Sequence, residues 1–119
     1  MTERSPDSSS LEERLAAERV SALRRIAALT GDWDGIVESS TGVGVDDEHD
    51  PEGATLAFER SQIEAQLTRA HERIADLDQA LEKLRAGTYG NCERCGGPIA
   101  PERLAARPTA RTCIACAAR

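Results

Sequence analysis

Large side chains are scarce in this sequence. Aromatic residues make up 3% of the 119 positions: one Trp, one Tyr and one Phe. A single compact core is hard to build from so few, and a chain of this length allows one small domain with extensions. The expected solution is elongated: a helical pair burying Leu, Ile and Ala along a seam, with a metal stapling the small end. No apolar run is long enough to span a bilayer, and no apolar signal segment follows Met1. Neither secretion nor membrane association is therefore expected, and four reduced thiols on a metal fit cytoplasmic residence. Histidine occurs only at His49 and His71, and neither belongs to a Ser/His/Asp or Cys/His arrangement. An enzyme is not expected. Cysteine is absent before position 92.

All four cysteines fall at the end, as the Cys-x-x-Cys pairs Cys92/Cys95 and Cys113/Cys116. The pairs are separated by 17 residues, 96 to 112. That spacing is typical of tetrahedral zinc sites built from two such pairs. Two residues between ligands let a tight knuckle aim both sulfurs at one metal. Gly96 and Gly97 supply the positive backbone angles and the room beside the sulfurs that a knuckle needs. Four thiolates leave no open coordination position, so the expected cofactor is structural, not catalytic, zinc. Two readings compete with it. A pair of structural disulfides fits a secreted chain, and nothing suggests secretion. A dithiol redox site needs one Cys-x-x-Cys on a strand–helix unit, not two at this spacing.

The net charge of −6 hides an asymmetry. Residues 87–119 carry five arginines against two glutamates, a balance of +3, and the 86 residues before them carry −9. Direct, sequence-specific DNA binding is therefore not expected. The basic end reads as a solvated arginine-rich surface, or as one that touches an acidic protein surface or nucleic acid.

Residues 1–10, MTERSPDSSS, are polar and read as a disordered lead-in. Ser10 with Glu13 forms a capping-box signal, which predicts a helix from near Leu11. Leu11, Leu15, Ala22, Ile26 and Leu29 make an apolar stripe interrupted at Glu18, and Gly31 is expected to stop the helix. Residues 30–53 hold eight acidic side chains, five glycines and no Lys or Arg, which predicts an acidic loop. Trp33 reads as a packing residue rather than a binding one, and with Ile36 and Val37 it can extend or cap the first helix by packing on its partner. His49 in this loop lacks any EF-hand spacing around it. A long helix is predicted from about Ala54 to Ala86, spanning roughly 50 Å. Its heptad seam is Leu56, Ile63, Leu67, Ala70, Ile74, Leu77, Leu81 and Leu84. Its exposed charges, such as Asp78 and Glu82 near Lys83 and Arg85, are expected to pair along the helix. His71 reads as a solvated position, and Gly87 ends the helix.

The architecture that follows is mainly α. An antiparallel helical hairpin, a coiled coil, occupies residues 11–86 with an acidic tip loop at about 30–53. A four-cysteine zinc finger occupies 87–119. A parallel dimer through the long seam is the competing arrangement. The hairpin is preferred because its partner stripe lies in the same chain at high effective concentration.

The segment from residue 87 reads Gly-Thr-Tyr-Gly-Asn-Cys-Glu-Arg-Cys-Gly-Gly-Pro-Ile, then Pro-Glu-Arg-Leu-Ala-Ala-Arg-Pro-Thr-Ala-Arg-Thr-Cys-Ile-Ala-Cys. It resembles the zinc finger of the DksA/TraR family of bacterial transcription regulators. The resemblance covers residues 87–116 by motif and the preceding long helix by architecture. It implies a non-enzymatic regulator that binds RNA polymerase rather than DNA. In that family the hairpin enters the secondary channel, its acidic tip approaches the catalytic centre, and some members act together with ppGpp.

The best-known members carry Asp-x-x-Asp-x-Ala at the start of the second helix. With Ala54 as the matching alanine, the acidic positions fall on His49 and Glu52, and Asp50 stands one place off. The tip residues implied are Asp50, Glu52 and Ala54, with Asp46, Asp47 and Glu48 adding charge. Carboxylates there act on the electrostatics of a metal-containing site. The sequence ends three residues after Cys116, where longer relatives continue into a helix. Together with the divergent tip, this is expected to reduce the ability to alter initiation more than it reduces polymerase binding. Two further readings stay open. One is a zinc-stapled interaction adaptor or dimerisation module with a passive acidic loop. The other is a redox sensor in which thiolate oxidation expels the zinc.

Overall fold

The computed structural model describes residues 6–41 and 51–119, with side chains described over 9–38 and 53–119. Four helices follow in order: α1 (Pro6–Thr41), α2 (Pro51–Ala86), α3 (Pro101–Ala106) and α4 (Ile114–Ala117). Among the described residues there is no strand beyond an isolated antiparallel bridge between Asn91 and Pro98. The fold is mainly α, a helical hairpin followed by a four-cysteine module, as the sequence predicts. No helix among these residues is long and apolar enough to cross a membrane.

α1 departs from expectation at both ends. It begins at Pro6, not near Leu11, so Ser10 and Glu13 lie inside the helix and do not cap it. Proline suits a first helical position, where its fixed φ is helical and its missing N–H has no partner to lose. Nor does Gly31 stop the helix, which continues to Thr41. A glycine inside a helix costs about 1 kcal/mol. The half-burial of Trp33 and Ile36 outweighs that cost. The acidic segment expected as a loop over 30–53 is therefore helical through Thr41 and again from Pro51. Residues 42–50, including Asp46, Asp47, Glu48, His49 and Asp50, lie outside the described residues.

The chain divides into two packed units, Met1–Arg19 with Ala75–Arg119, and Val20–Ile74. In the first, Leu15 of α1 and Leu77 of α2 are both 0% exposed and form a core with Ala80 and Leu81. Leu11, Leu84 and Tyr89 pack against it. Arg19 Nε meets Asp78 Oδ1 at 2.6 Å, and Arg85 Nε lies 3.7 Å from Glu12 Oε1. The earlier residue of α1 pairs with the later residue of α2, so the two segments run antiparallel. The pairing predicted along α2 gives way to pairing between elements, because Asp78 and Arg85 reach α1 and Lys83 reaches Glu93. Pairs along one exposed helix are worth only a few tenths of a kcal/mol, so a partner on a neighbouring element readily takes the side chain.

In the Val20–Ile74 unit, Leu29, Ile63 and Ala70 are buried. Arg25 Nη2 donates to Gln66 Oε1 at 2.7 Å, and the Arg60 guanidinium lies 5.1 Å from the centre of the Trp33 ring. Trp33 is half-buried, the packing residue expected, and His71 is exposed. The seam read from the sequence of α2 is the face that is buried. Ile63, Ala70, Leu77 and Leu81 are buried, and Leu56, Leu67, Ile74 and Leu84 are half-buried. Ala80 joins them without having been predicted.

Candidate metal centre

The chain leaves α2 through a glycine stop. Gly87 takes φ 78°, Thr88 N donates to Lys83 O at 2.9 Å, and Gly87 N donates to Leu84 O at 3.3 Å. Those bonds satisfy the last carbonyls of the helix and turn the backbone sharply. Tyr89 then packs on the Leu15–Leu77 core, and its hydroxyl donates to Pro108 O at 2.8 Å. Burial pushes the phenol pKa above its ordinary 10.0, with the charge of Arg14 acting in the opposite direction.

The first cysteine pair sits on the turn closed by the Asn91–Pro98 bridge. Cys92 N donates to Gly97 O at 2.8 Å, and Gly96 N donates to Cys92 O at 2.9 Å. Gly96 adopts φ 75°, and Gly97 N approaches Cys95 Sγ at 3.4 Å. These are the two roles read for the glycine pair from the sequence. The second pair is positioned by α4: Cys113 stands at its N-cap and Cys116 lies inside it. Glu93 N donates to Arg111 O at 2.9 Å and ties the two halves together. Cys92, Ile99 and Cys116 are buried as a small core, with Leu104 and Cys113 packed on it.

All four cysteines are free thiols, and their Sγ atoms lie within 4.8 Å of one another. Cys95 Sγ and Cys113 Sγ are 3.9 Å apart. Thiolates about 2.3 Å from a tetrahedral zinc stand about 3.8 Å from each other, so the donor set and its size fit one zinc ion. No disulfide is formed.

Backbone amides favour the thiolate form at Cys92 and Cys113. The Cys92 thiol is drawn down to about 6, first by the N–H of Cys95 and next by that of Cys113. The N–H of Cys116 lowers Cys113. Cys116 is pushed up to about 12, chiefly by its hydrogen bond with the Cys113 sulfur. Without metal the cluster shares protons, and zinc displaces them. Four thiolates around Zn²⁺ carry a net charge of about −2, which nearly balances the arginine excess of the module.

Four of the five arginines of this end are exposed and Arg103 is half-buried, and three of the five also make hydrogen bonds within the fold. Arg94 Nη1 donates to Cys116 O at 3.2 Å, and Arg103 Nε to Thr112 O at 2.9 Å. Arg111 Nη1 donates to Gln79 Oε1 on α2 at 2.8 Å. From α1, Arg14 Nη1 donates to Ala105 O at 3.2 Å, and the Lys83–Glu93 ion pair adds a further tie. Sequence reasoning noted Tyr89, Arg103, Pro108 and Arg111 only as motif letters. The available signal was that the chain's one tyrosine stands two residues after a helix-ending glycine.

Of the tip residues implied by the resemblance, only Ala54 is fully described. Ala54 lies in the first turn of α2, exposed, and belongs to the Val20–Ile74 unit. Glu52 is in the same turn, with its side chain outside the described set, and Asp50 lies outside the described residues.

Comparison with known proteins bears on the same two parts. Residues 87–119 match the family model of the prokaryotic dksA/traR C4-type zinc finger. The RNA polymerase-binding transcription factor DksA of Caulobacter vibrioides is 50% identical over 42 residues, 35% of this chain and 30% of that protein. General stress protein 16O of Bacillus subtilis is 36% identical over 77 residues, 65% of this chain and 45% of that protein. The chain thus aligns with less than half the length of these curated relatives. The solved structure of transcription factor DksA2 from Pseudomonas aeruginosa is similar over more of the fold. Its TM-score is 0.77 at 27% identity, covering 94% of this chain and 81% of that one. The four-cysteine module, residues 87–119, is thus similar to prokaryotic dksA/traR C4-type zinc fingers, and its cysteine cluster fits one structural zinc ion.

Proposed function

We propose that this chain is a cytoplasmic transcription regulator that binds RNA polymerase through the secondary channel and alters initiation with an acidic helical tip. The observation that supports this best is the likeness to DksA2 over 94% of the chain, which takes in the helices as well as the finger. The zinc performs no chemistry in this reading. Four thiolates complete its coordination, and its task is to hold residues 87–119 folded. Asp50 and Glu52, with Ala54 beside them, are the proposed contacts at the polymerase catalytic centre. Their carboxylates act there on bound metal and basic groups through charge. Where ppGpp takes part, it acts at the polymerase interface.

The test is in vitro transcription with the Asp50→Asn/Glu52→Gln double variant. Zinc content and helicity are expected to match the unaltered chain, and the effect on promoter output is expected to be lost. Undiminished promoter output from the variant removes the tip carboxylates from the mechanism.

A further inference from the structure

Gly31 and Gly35 stand one turn apart on α1, and neither fills a role that only glycine can fill. Both keep ordinary helical angles; among the described residues the positive-φ glycines are Gly87, Gly90 and Gly96. A Cβ built on either meets nothing within 4 Å, so no close approach of α2 requires them. Each also weakens the helix relative to alanine. What the missing side chains leave is an open groove of about 660 Å³ within the Val20–Ile74 unit.

The floor of this groove is apolar, made by Ile36 of α1 with Leu56 and Ile63 of α2. Asp32 and Glu59 also line it, both exposed. The charged side chains among its lining residues are both acidic, Asp32 and Glu59. Arg60, the nearest arginine along α2, lies over the Trp33 ring. An apolar floor beside two carboxylates suits a side chain with a long aliphatic stem and a cationic head. Arginine fits better than lysine, since its planar fork meets carboxylates through paired donors. The volume lies in the range of about 300–1,000 Å³ usual for binding pockets, which suits a short segment.

We infer that the groove between Gly31/Gly35 and Leu56/Ile63 receives an arginine-bearing segment of the protein partner. The identity of that partner rests on the polymerase reading; the chemistry of the groove does not.

Two probes separate these points. The first is a blocked peptide of alternating leucine and arginine, titrated into the full zinc-loaded chain with the methyl resonances of Ile36, Leu56 and Ile63 observed by NMR. Saturable shifts are expected, with none from the same peptide carrying glutamate for arginine. Binding to the Asp32→Asn/Glu59→Gln variant is expected to be about fivefold weaker, the scale of exposed ion pairs. No saturable shift, or equal binding of the glutamate peptide, overturns the inference.

The second probe is core RNA polymerase. The Gly31→Leu/Gly35→Leu variant fills the groove while raising helix propensity, and circular dichroism reads its folding. Its affinity for polymerase is expected to fall about tenfold. Unchanged affinity overturns the inference and leaves the polymerase reading standing. If the filled variant fails to fold, the charge variant supplies the same comparison. If the unaltered chain does not bind polymerase, that reading falls, and the peptide titration decides the groove by itself.

Discussion

The Tyr89 hydroxyl donates to the carbonyl of Pro108 at 2.8 Å, across 19 positions of sequence. That bond joins the segment entering the first cysteine pair to the one approaching the second. The Tyr89 ring at the same time packs on the Leu15–Leu77 core. One side chain thereby couples the metal module to the helical pair within a single unit.

Replacing Tyr89 by phenylalanine keeps the ring and removes the bond. Urea unfolding of the zinc-loaded chain is expected to lose about 1 kcal/mol. The pH response has a definite sign. Burial raises the phenol pKa in the folded chain above 10.0, so the folded state holds this proton more tightly. The contribution is full below the unfolded value and is lost as pH rises through the folded one. Tyr89→Phe is expected to remove that alkaline component from the stability profile.

Leu77 is 0% exposed and faces Leu15 in the core. Leu77→Ala opens a cavity there and is expected to cost about 3 kcal/mol in the same unfolding measurement. Zinc content after purification is expected to stay at one ion per chain, because the ligands sit on a separate buried cluster.

The parts of the fold governed by local periodicity were legible in the sequence. The α2 seam from Leu56 to Leu84 follows from heptad spacing alone, and the metal centre follows from two Cys-x-x-Cys pairs. The extent of α1 was legible only in part, through Trp33, Ile36 and Val37 as residues able to extend it by packing. Gly31 and Gly35 read as breakers, yet packing of Trp33 and Ile36 carries the helix past them. The roles of Arg94, Arg103 and Arg111 were hidden for a different reason. Each donates to a group 9 to 32 positions away, and no local pattern encodes such a partner. The tip residues Asp50 and Glu52 were named from family resemblance, and they remain a proposal.

Glycine substitutions distinguish the two kinds of glycine in the chain. Gly31→Ala meets no neighbour and keeps a helical angle, so it is expected to raise stability by about 0.4–1 kcal/mol. Gly87→Ala places a Cβ at φ 78° and is expected to destabilise by about 1–2 kcal/mol. Thermal unfolding followed by circular dichroism reads both, with the midpoints moving in opposite directions.

Zinc removal is expected to act locally. Extraction with a strong chelator should unfold residues 87–119, whose buried core is Cys92, Ile99 and Cys116. Amide exchange in that segment should accelerate far more than in Val20–Ile74. Rebinding releases thiol protons, so apparent zinc affinity is expected to fall as pH is lowered from 8 toward 6, where about half of the Cys92 thiols are protonated. Calorimetry in buffers of different ionisation enthalpy measures that release directly.

The central claim is that this chain engages RNA polymerase, and the direct measurement is a titration of fluorescently labelled, zinc-loaded protein with its host's core enzyme. A secondary-channel factor serves as competitor. The account predicts saturable binding at polymerase concentrations on the order of micromolar or below, displaced by the competitor. Absence of binding at those concentrations, or binding that the competitor leaves untouched, contradicts it.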